Sequence, residues 1–263
     1  MNQLISSIIT LSGLGVSVGL GLAYASVKLA VEVNPLEEQL REVLPCANCG
    51  ACGYAGCNSY AAAVVNEGAP INLCVPGGNP LIESIAQIMG VEATSSVPLT
   101  AHVLCRGGAQ ESTLKYEYQG VPSCKAVGMI ASGDKTCSYG CLGYGSCAAV
   151  CPFDALSMNE DRLPKVNLDN CTGCGICAAE CPRKIIVIAE RAKQVDICCR
   201  SFDKGKQVKE YCQVGCIGCG MCVNVCAFEA IELRDNLAHT NYEKCTTCGI
   251  CASVCKPRTI NKA

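Results

Sequence analysis

Twenty-six cysteines stand in a chain of 263 residues, and their spacing says what they can do. Cys171, Cys174, Cys177 and Cys181 form a C-x-x-C-x-x-C-x-x-x-C run, and so do Cys216, Cys219, Cys222 and Cys226, and again Cys245, Cys248, Cys251 and Cys255. Thiols two residues apart point at one focus, which is what a metal cluster needs and a disulfide scaffold does not. Zinc sites pair two C-x-x-C knuckles across a longer gap, whereas three closely spaced cysteines with a fourth after three residues mark an iron–sulfur cluster. No catalytic serine, histidine and carboxylate set, P-loop or flavin-attachment motif accompanies them. His102 and His239 stand alone.

The runs belong to a tandem repeat. Cys137, Cys141, Cys147 and Cys151 recur as Cys212, Cys216, Cys222 and Cys226, and the run from Cys171 to Cys181 recurs from Cys245 to Cys255. Pro152-Phe153-Asp154-Ala155 matches Ala227-Phe228-Glu229-Ala230. Each unit resembles a bacterial two-cluster ferredoxin, in which three cysteines of one run bind one cluster and the fourth binds the other. The resemblance implies one site of Cys216, Cys219, Cys222 and Cys255, another of Cys245, Cys248, Cys251 and Cys226, and a third of Cys171, Cys174, Cys177 and Cys151. The fourth departs from the pattern, because Tyr144 stands where the repeat has Cys219. Cys141, Cys147 and Cys181 remain, and Cys137, four residues before Cys141, is the expected replacement. Ala227 and Lys256 stand where the family has proline after the fourth cysteine. Proline shapes that turn but donates nothing to iron, so the sites are expected to survive.

Residues 49–78 place Cys49, Cys52 and Cys57 close together, with Cys74 after an alanine-rich stretch. Gly50, Gly53 and Gly56 let backbone wrap a cluster and donate N–H groups to its sulfurs. This stretch resembles the small four-cysteine [4Fe–4S] domain of several redox complexes; Cys46 falls outside that pattern. Five [4Fe–4S] clusters are thus expected. Cys105, Cys124, Cys198, Cys199 and Cys212 are left over. They read as buried structural cysteines or, for Cys105, Cys124, Cys199 and Cys212, as a sixth cluster.

The elements that must carry these sites follow from the rest of the chain. Leu4 to Val31 is one apolar run broken only by Lys28, long enough to span a bilayer core of about 30 Å as a helix. It lacks the basic start of a signal peptide and its apolar stretch is too long for one. Gly15-x-x-x-Gly19 would let another helix approach. Lys28 and Arg41 follow the helix, while residues 1–10 carry no Lys or Arg. The positive-inside rule then puts the cluster domains on the cytoplasmic side of a bacterial or archaeal cytoplasmic membrane. The reading divides the chain into an anchor (1–33), a small [4Fe–4S] domain with a connector helix (34–78), a linker (79–133), ferredoxin-like unit 1 (134–190), an inter-repeat segment (191–211) and ferredoxin-like unit 2 (212–263). The fold class is α+β. The formal charge of −2 counts thiols as neutral; thiolate-bound clusters would make the holoprotein anionic, which excludes nucleic acid as a partner. Residues 183–209 hold eight basic and three acidic side chains, either a solvated face or a dock for an acidic ferredoxin.

The order of anchor, small module and two ferredoxin units resembles, over essentially the whole chain, the B-subunit family of the Rnf complexes, the ion-translocating ferredoxin:NAD⁺ oxidoreductases. CRGGAQES, CSYGCLGYGSCAAVCPFDA and CCRSFDKGKQVKEYCQVGCIGC resemble its longer, clostridial-type form. The family implies an electron-entry role, with soluble ferredoxin as donor and flavin-bearing and membrane subunits as partners. An anchored polyferredoxin wire serving another redox enzyme, without ion translocation, is the alternative; a zinc protein is the non-redox one. The helix carries no intramembrane acid, so ion translocation would belong to multi-span partners.

Overall fold

The computed structural model describes residues 2–29, 34–193 and 195–262. Residues 30–33, where the sequence reading ends the anchor, lie outside them, as does residue 194 of the expected inter-repeat segment. Helix α1 (Asn2–Lys28) is exposed along almost all of its described side chains. It is the one helix among the described residues that is long and apolar enough to cross a membrane, over Ser6–Lys28.

Three helices build the small module: α2 (Pro35–Val43), α3 (Cys57–Asn66) and α4 (Gly78–Met89). Asn34 starts α2, its side chain accepting from the Leu36 amide at 3.0 Å, with Pro35 at the first helical position, where a missing N–H costs nothing. Leu40, Leu44, Tyr60, Ala61, Val64, Leu81 and Ile85 form one core. Thus α2 is a wall of the module rather than a connector. The module also runs past residue 78, because Leu81 and Ile85 of α4 face the same core.

Each ferredoxin unit is a pair of two-stranded antiparallel sheets. In unit 1, β1 (Leu99–Val103) pairs with the last strand, β4 (Ile186–Glu190), and β2 (Leu156–Met158) pairs with β3 (Pro164–Val166). In unit 2, β5 (Val195–Ile197) pairs with β8 (Ile260–Lys262), and β6 (Ile231–Arg234) pairs with β7 (Leu237–Thr240). The first strand of each unit therefore lies inside a segment read from the sequence as linker (79–133) or inter-repeat (191–211). Short strands whose partners lie tens of residues away leave no local signal.

Between first strand and first cysteine run, each unit carries an insertion. The first, residues 104–136, holds α5 (Cys124–Met129); the second, residues 198–211, holds α8 (Gly205–Tyr211). Ser112 bridges Cys212, and the amides of Thr113 and Gln213 donate to Tyr211 O and Glu111 O at 3.0 and 2.9 Å. The first insertion is thereby fastened to the start of unit 2. His102 on β1 and Tyr242 both reach Asp196 on β5, His102 Nδ1 at 2.8 Å, which ties the two units together again.

Candidate metal centres

The cysteine loops take their shape from glycine. The short helices α6 (Ser146–Ala149), α7 (Ile176–Glu180), α9 (Met221–Asn224) and α10 (Ile250–Val254) each begin after a glycine in the left-handed region, Gly145, Gly175, Gly220 and Gly249, with φ of 71 to 84°. An L side chain there costs roughly 1–2 kcal/mol. This turn swings the third cysteine of each run back toward the first two. Gly145 keeps the turn although Tyr144 has displaced the cysteine before it. After the fourth cysteine, Asp154, Lys184, Glu229 and Arg258 are all left-handed, with φ of 49 to 55°. Each donates its amide to the carbonyl of the cysteine three residues back, at 3.0–3.5 Å. Units with and without proline in that turn adopt it alike, so Ala227 and Lys256 leave it intact.

In unit 2, one cavity is lined by Cys216, Cys219, Cys222 and Cys255 and another by Cys226, Cys245, Cys248 and Cys251. These are the two crossed sets expected from the ferredoxin pattern. In unit 1, Cys151 and Cys171 pack against the core that holds Cys177; Cys171 and Cys174 act electrostatically on Cys177, and Cys151 acts on Cys174. The Ala101 amide donates to Cys171 Sγ at 3.4 Å, the Ala155 amide to Cys151 Sγ at 3.4 Å and the Ala230 amide to Cys226 Sγ at 3.3 Å. Such N–H···S bonds stabilise thiolate and reduced cluster alike. In the small module, Cys52 and Cys57 pack against the core that holds Cys74; Cys49, Cys52 and Cys57 all act electrostatically on Cys74, and Asn48 Oδ1 holds the Cys57 amide at 3.0 Å. Cys46 stays exposed, outside the set.

The remaining cavity of unit 1 departs from expectation. It is lined by Cys141, Cys147 and Cys181, and its fourth thiol is that of Cys124, not Cys137. The Cys124 amide donates to Ser146 Oγ at 2.9 Å, which docks the start of α5 on the start of α6. Tyr144 turns away: its hydroxyl donates to Asp134 at 2.7 Å and Arg162 lies 4.5 Å over its ring. Cys137 instead sits with Cys105 and Cys212. The sequence offered Cys124 as a structural cysteine or as a ligand of a sixth cluster, not of this one; the signal that could have found its place is its partner Ser146, which no cysteine count includes.

Burial pushes the thiols up, Cys147 and Cys222 to about 11 and Cys141 and Cys177 to about 12, and the neighbouring cysteines push in the same direction. Four converging thiols that each lose a proton on binding fit an iron core, which supplies the compensating charge. Among the described residues no three histidine, cysteine, aspartate or glutamate side chains close around a point as a lone metal ion requires.

Family comparisons agree with this geometry. Residues 44–76 match the family described as "Putative Fe-S cluster", and residues 136–185 and 215–259 match the 4Fe-4S dicluster domain. The chain is 46% identical to the B subunit of the ion-translocating oxidoreductase complex of Methanosarcina acetivorans, over 92% of each chain. The chain belongs to the B-subunit family of the ion-translocating oxidoreductase complexes. Two further B subunits are 40% identical: that of the proton-translocating ferredoxin:NAD(+) oxidoreductase complex of Clostridium ljungdahlii, over 94% of this chain and 87% of that one, and that of the Na(+)-translocating complex of Acetobacterium woodii, over 93% and 74%. These relatives carry different ions in their names, so membership does not choose the ion.

Of the eight basic residues at 183–209, three have partners within the chain. Arg183 is spent on Ser132 and Ser138 carbonyls, Arg191 meets Asp169 at 3.1 Å, and Lys193 donates to Cys245 O at 2.8 Å.

Proposed function

We propose that this chain is the electron-transfer subunit of a membrane-bound, ion-translocating ferredoxin:NAD⁺ oxidoreductase, passing single electrons from reduced ferredoxin toward flavin-bearing and membrane partner subunits. Bound [4Fe–4S] clusters would supply the one-electron chemistry. The observation that carries the reading is the succession of thiol cages. Cys49 of the small module is close enough to Cys174 to act on it electrostatically, and Cys147 likewise acts on Cys177. The cages of unit 2 share one core. The chain's own work is to hold each core, bury it, and aim amides at its sulfurs. The helix α1, with no Asp or Glu, anchors the cages at the membrane, on the cytoplasmic side by the positive-inside rule; ion movement belongs to partner subunits.

The test is anaerobic iron and sulfide analysis of the full chain. Five complete sets predict at least about twenty iron atoms per chain, reducible in EPR by reduced ferredoxin. A reconstituted chain with about twelve or fewer would sink the assignment of the repeats.

A further inference from the structure

Three thiols outside the five sets meet between the two ferredoxin units. A Cβ at Gly140 would lie 3.4 Å from Cys137 Sγ and 3.5 Å from Cys105 Sγ; one at Gly107 would lie 3.1 Å from Cys212 Sγ and 4.0 Å from Cys105 Sγ. A Cβ at Gly215 would likewise lie 3.5 Å from Cys212 Sγ. Three glycines thus leave bare backbone around these sulfurs, the close approach that a cluster demands of its cradle. The Cys141 amide donates to Cys105 Sγ at 3.3 Å. Cys199, packed against the core of unit 2, is the fourth thiol: the amides of Ser201 and Cys216 face its sulfur, and Cys216 and Cys105 both act on it electrostatically. Its neighbour Cys198 spends its thiol on Asp196 O at 3.7 Å, in a cavity lined by both His102 and Cys105.

A buried charge points to the same place. Lys135 is 1% exposed, and the hydrogen bond its ammonium makes among the described residues is to a neutral acceptor, Gly107 O, at 2.8 Å. A buried ammonium facing only carbonyl and neutral thiols would be uncompensated. Thiolates on an iron core at Cys105 and its neighbours would supply the missing negative charge.

We infer that Cys105, Cys137, Cys199 and Cys212 bind a sixth [4Fe–4S] cluster bridging the two ferredoxin units, and that Cys124 takes the place of Cys137 in the cluster of Cys141, Cys147 and Cys181. This exchanges Cys124 and Cys137 relative to the sequence reading and rests on the proposed electron-transfer role. It also closes the line of cages, because the new site borders Cys141 on one side and Cys216 on the other.

Full-length chain, reconstituted anaerobically, is assayed for iron and by EPR. Wild type should hold about 24 iron atoms, where five clusters hold about 20. Cys124→Ser and Cys137→Ser should each lose or convert one cluster, with different EPR signals lost. The double variant Cys124→Ser/Cys137→Ser should lose two, whereas Cys137→Ser/Cys212→Ser should lose only one. Cys198→Ser should retain all six and Cys199→Ser should not. The inference is overturned if wild type stops at about 20 iron atoms, if the Cys124 and Cys137 variants lose the same signal, or if Cys212→Ser keeps full iron. The wild-type count needs no variant to fold. A count near 20 removes the sixth cluster alone, while about twelve or fewer removes the functional reading itself.

Discussion

Lys135 shows how much one side chain can set in a chain of redox centres. Its ammonium lies near Cys105 and Cys141, lowering both against the burial that raises them. Reduction adds negative charge, which a nearby cation favours. At an effective dielectric of about 20, a unit charge at roughly 8 Å is worth about 2 kcal/mol, and about 59 mV corresponds to a tenfold change for one electron. Lys135→Met keeps the stem and removes the charge. It should lower the potential of the nearest site by several tens of millivolts, roughly, in an EPR-monitored redox titration. An unchanged or higher potential would contradict a charge facing a cluster. Tyr144 makes the converse point: a residue in a ligand's position can be wholly occupied elsewhere, here by Asp134 and Arg162.

At the scale of elements, α2 decides where the small module ends. Leu40 is 1% exposed and packs with Tyr60, Val64 and Ile85 of α3 and α4. Tyr60 adds a hydrogen bond to Pro70 O at 2.8 Å, fixing the loop that leads to Cys74. Truncating a buried leucine costs about 2–5 kcal/mol, a large share of what a module this small can hold. Leu40→Ala should therefore loosen the cage of Cys49, Cys52, Cys57 and Cys74, losing about four iron atoms to a chelator while the ferredoxin signals persist. If iron were lost equally from every site, α2 would not be a wall of this module alone. The insertions are the other decisive elements. Both enter between the first strand and the first cysteine run, and both bring extra thiols: Cys105 and Cys124 in one, Cys198 and Cys199 in the other.

Over the whole molecule, the apolar helix and the cysteine cages occupy separate stretches of the chain. No cysteine precedes Cys46, and among the described residues the apolar helix shares no core with the modules. Deleting residues 1–33 should release a soluble, still brown protein with unchanged iron content, measured after ultracentrifugation and by absorbance. Retention of the truncated chain in membranes that lack the partner subunits would refute a single-helix anchor. The units themselves are held as one by Asp196, which gathers His102 and Tyr242, and by the bridge of the first insertion to Cys212.

What the sequence determined by itself is local. Thiols two residues apart with glycine between them can hardly avoid converging, because the turn is encoded within six or seven residues. An apolar stretch without charges reads as an anchor for the same reason. The repeat was visible, and with it the crossed sets of unit 2 and the family to which the chain belongs. The tertiary structure alone decided the partners that arrive from far away. Cys124 and Cys137 stand at the same separation as Cys199 and Cys212, so spacing cannot assign them. Cys124 is held at its cavity by Ser146, and Cys137 is carried to Cys105 and Cys212 by the bridge between the first insertion and unit 2. Those contacts depend on how β1 and β5 find β4 and β8 across long loops, and long-range pairing leaves no periodic trace in a five-residue strand.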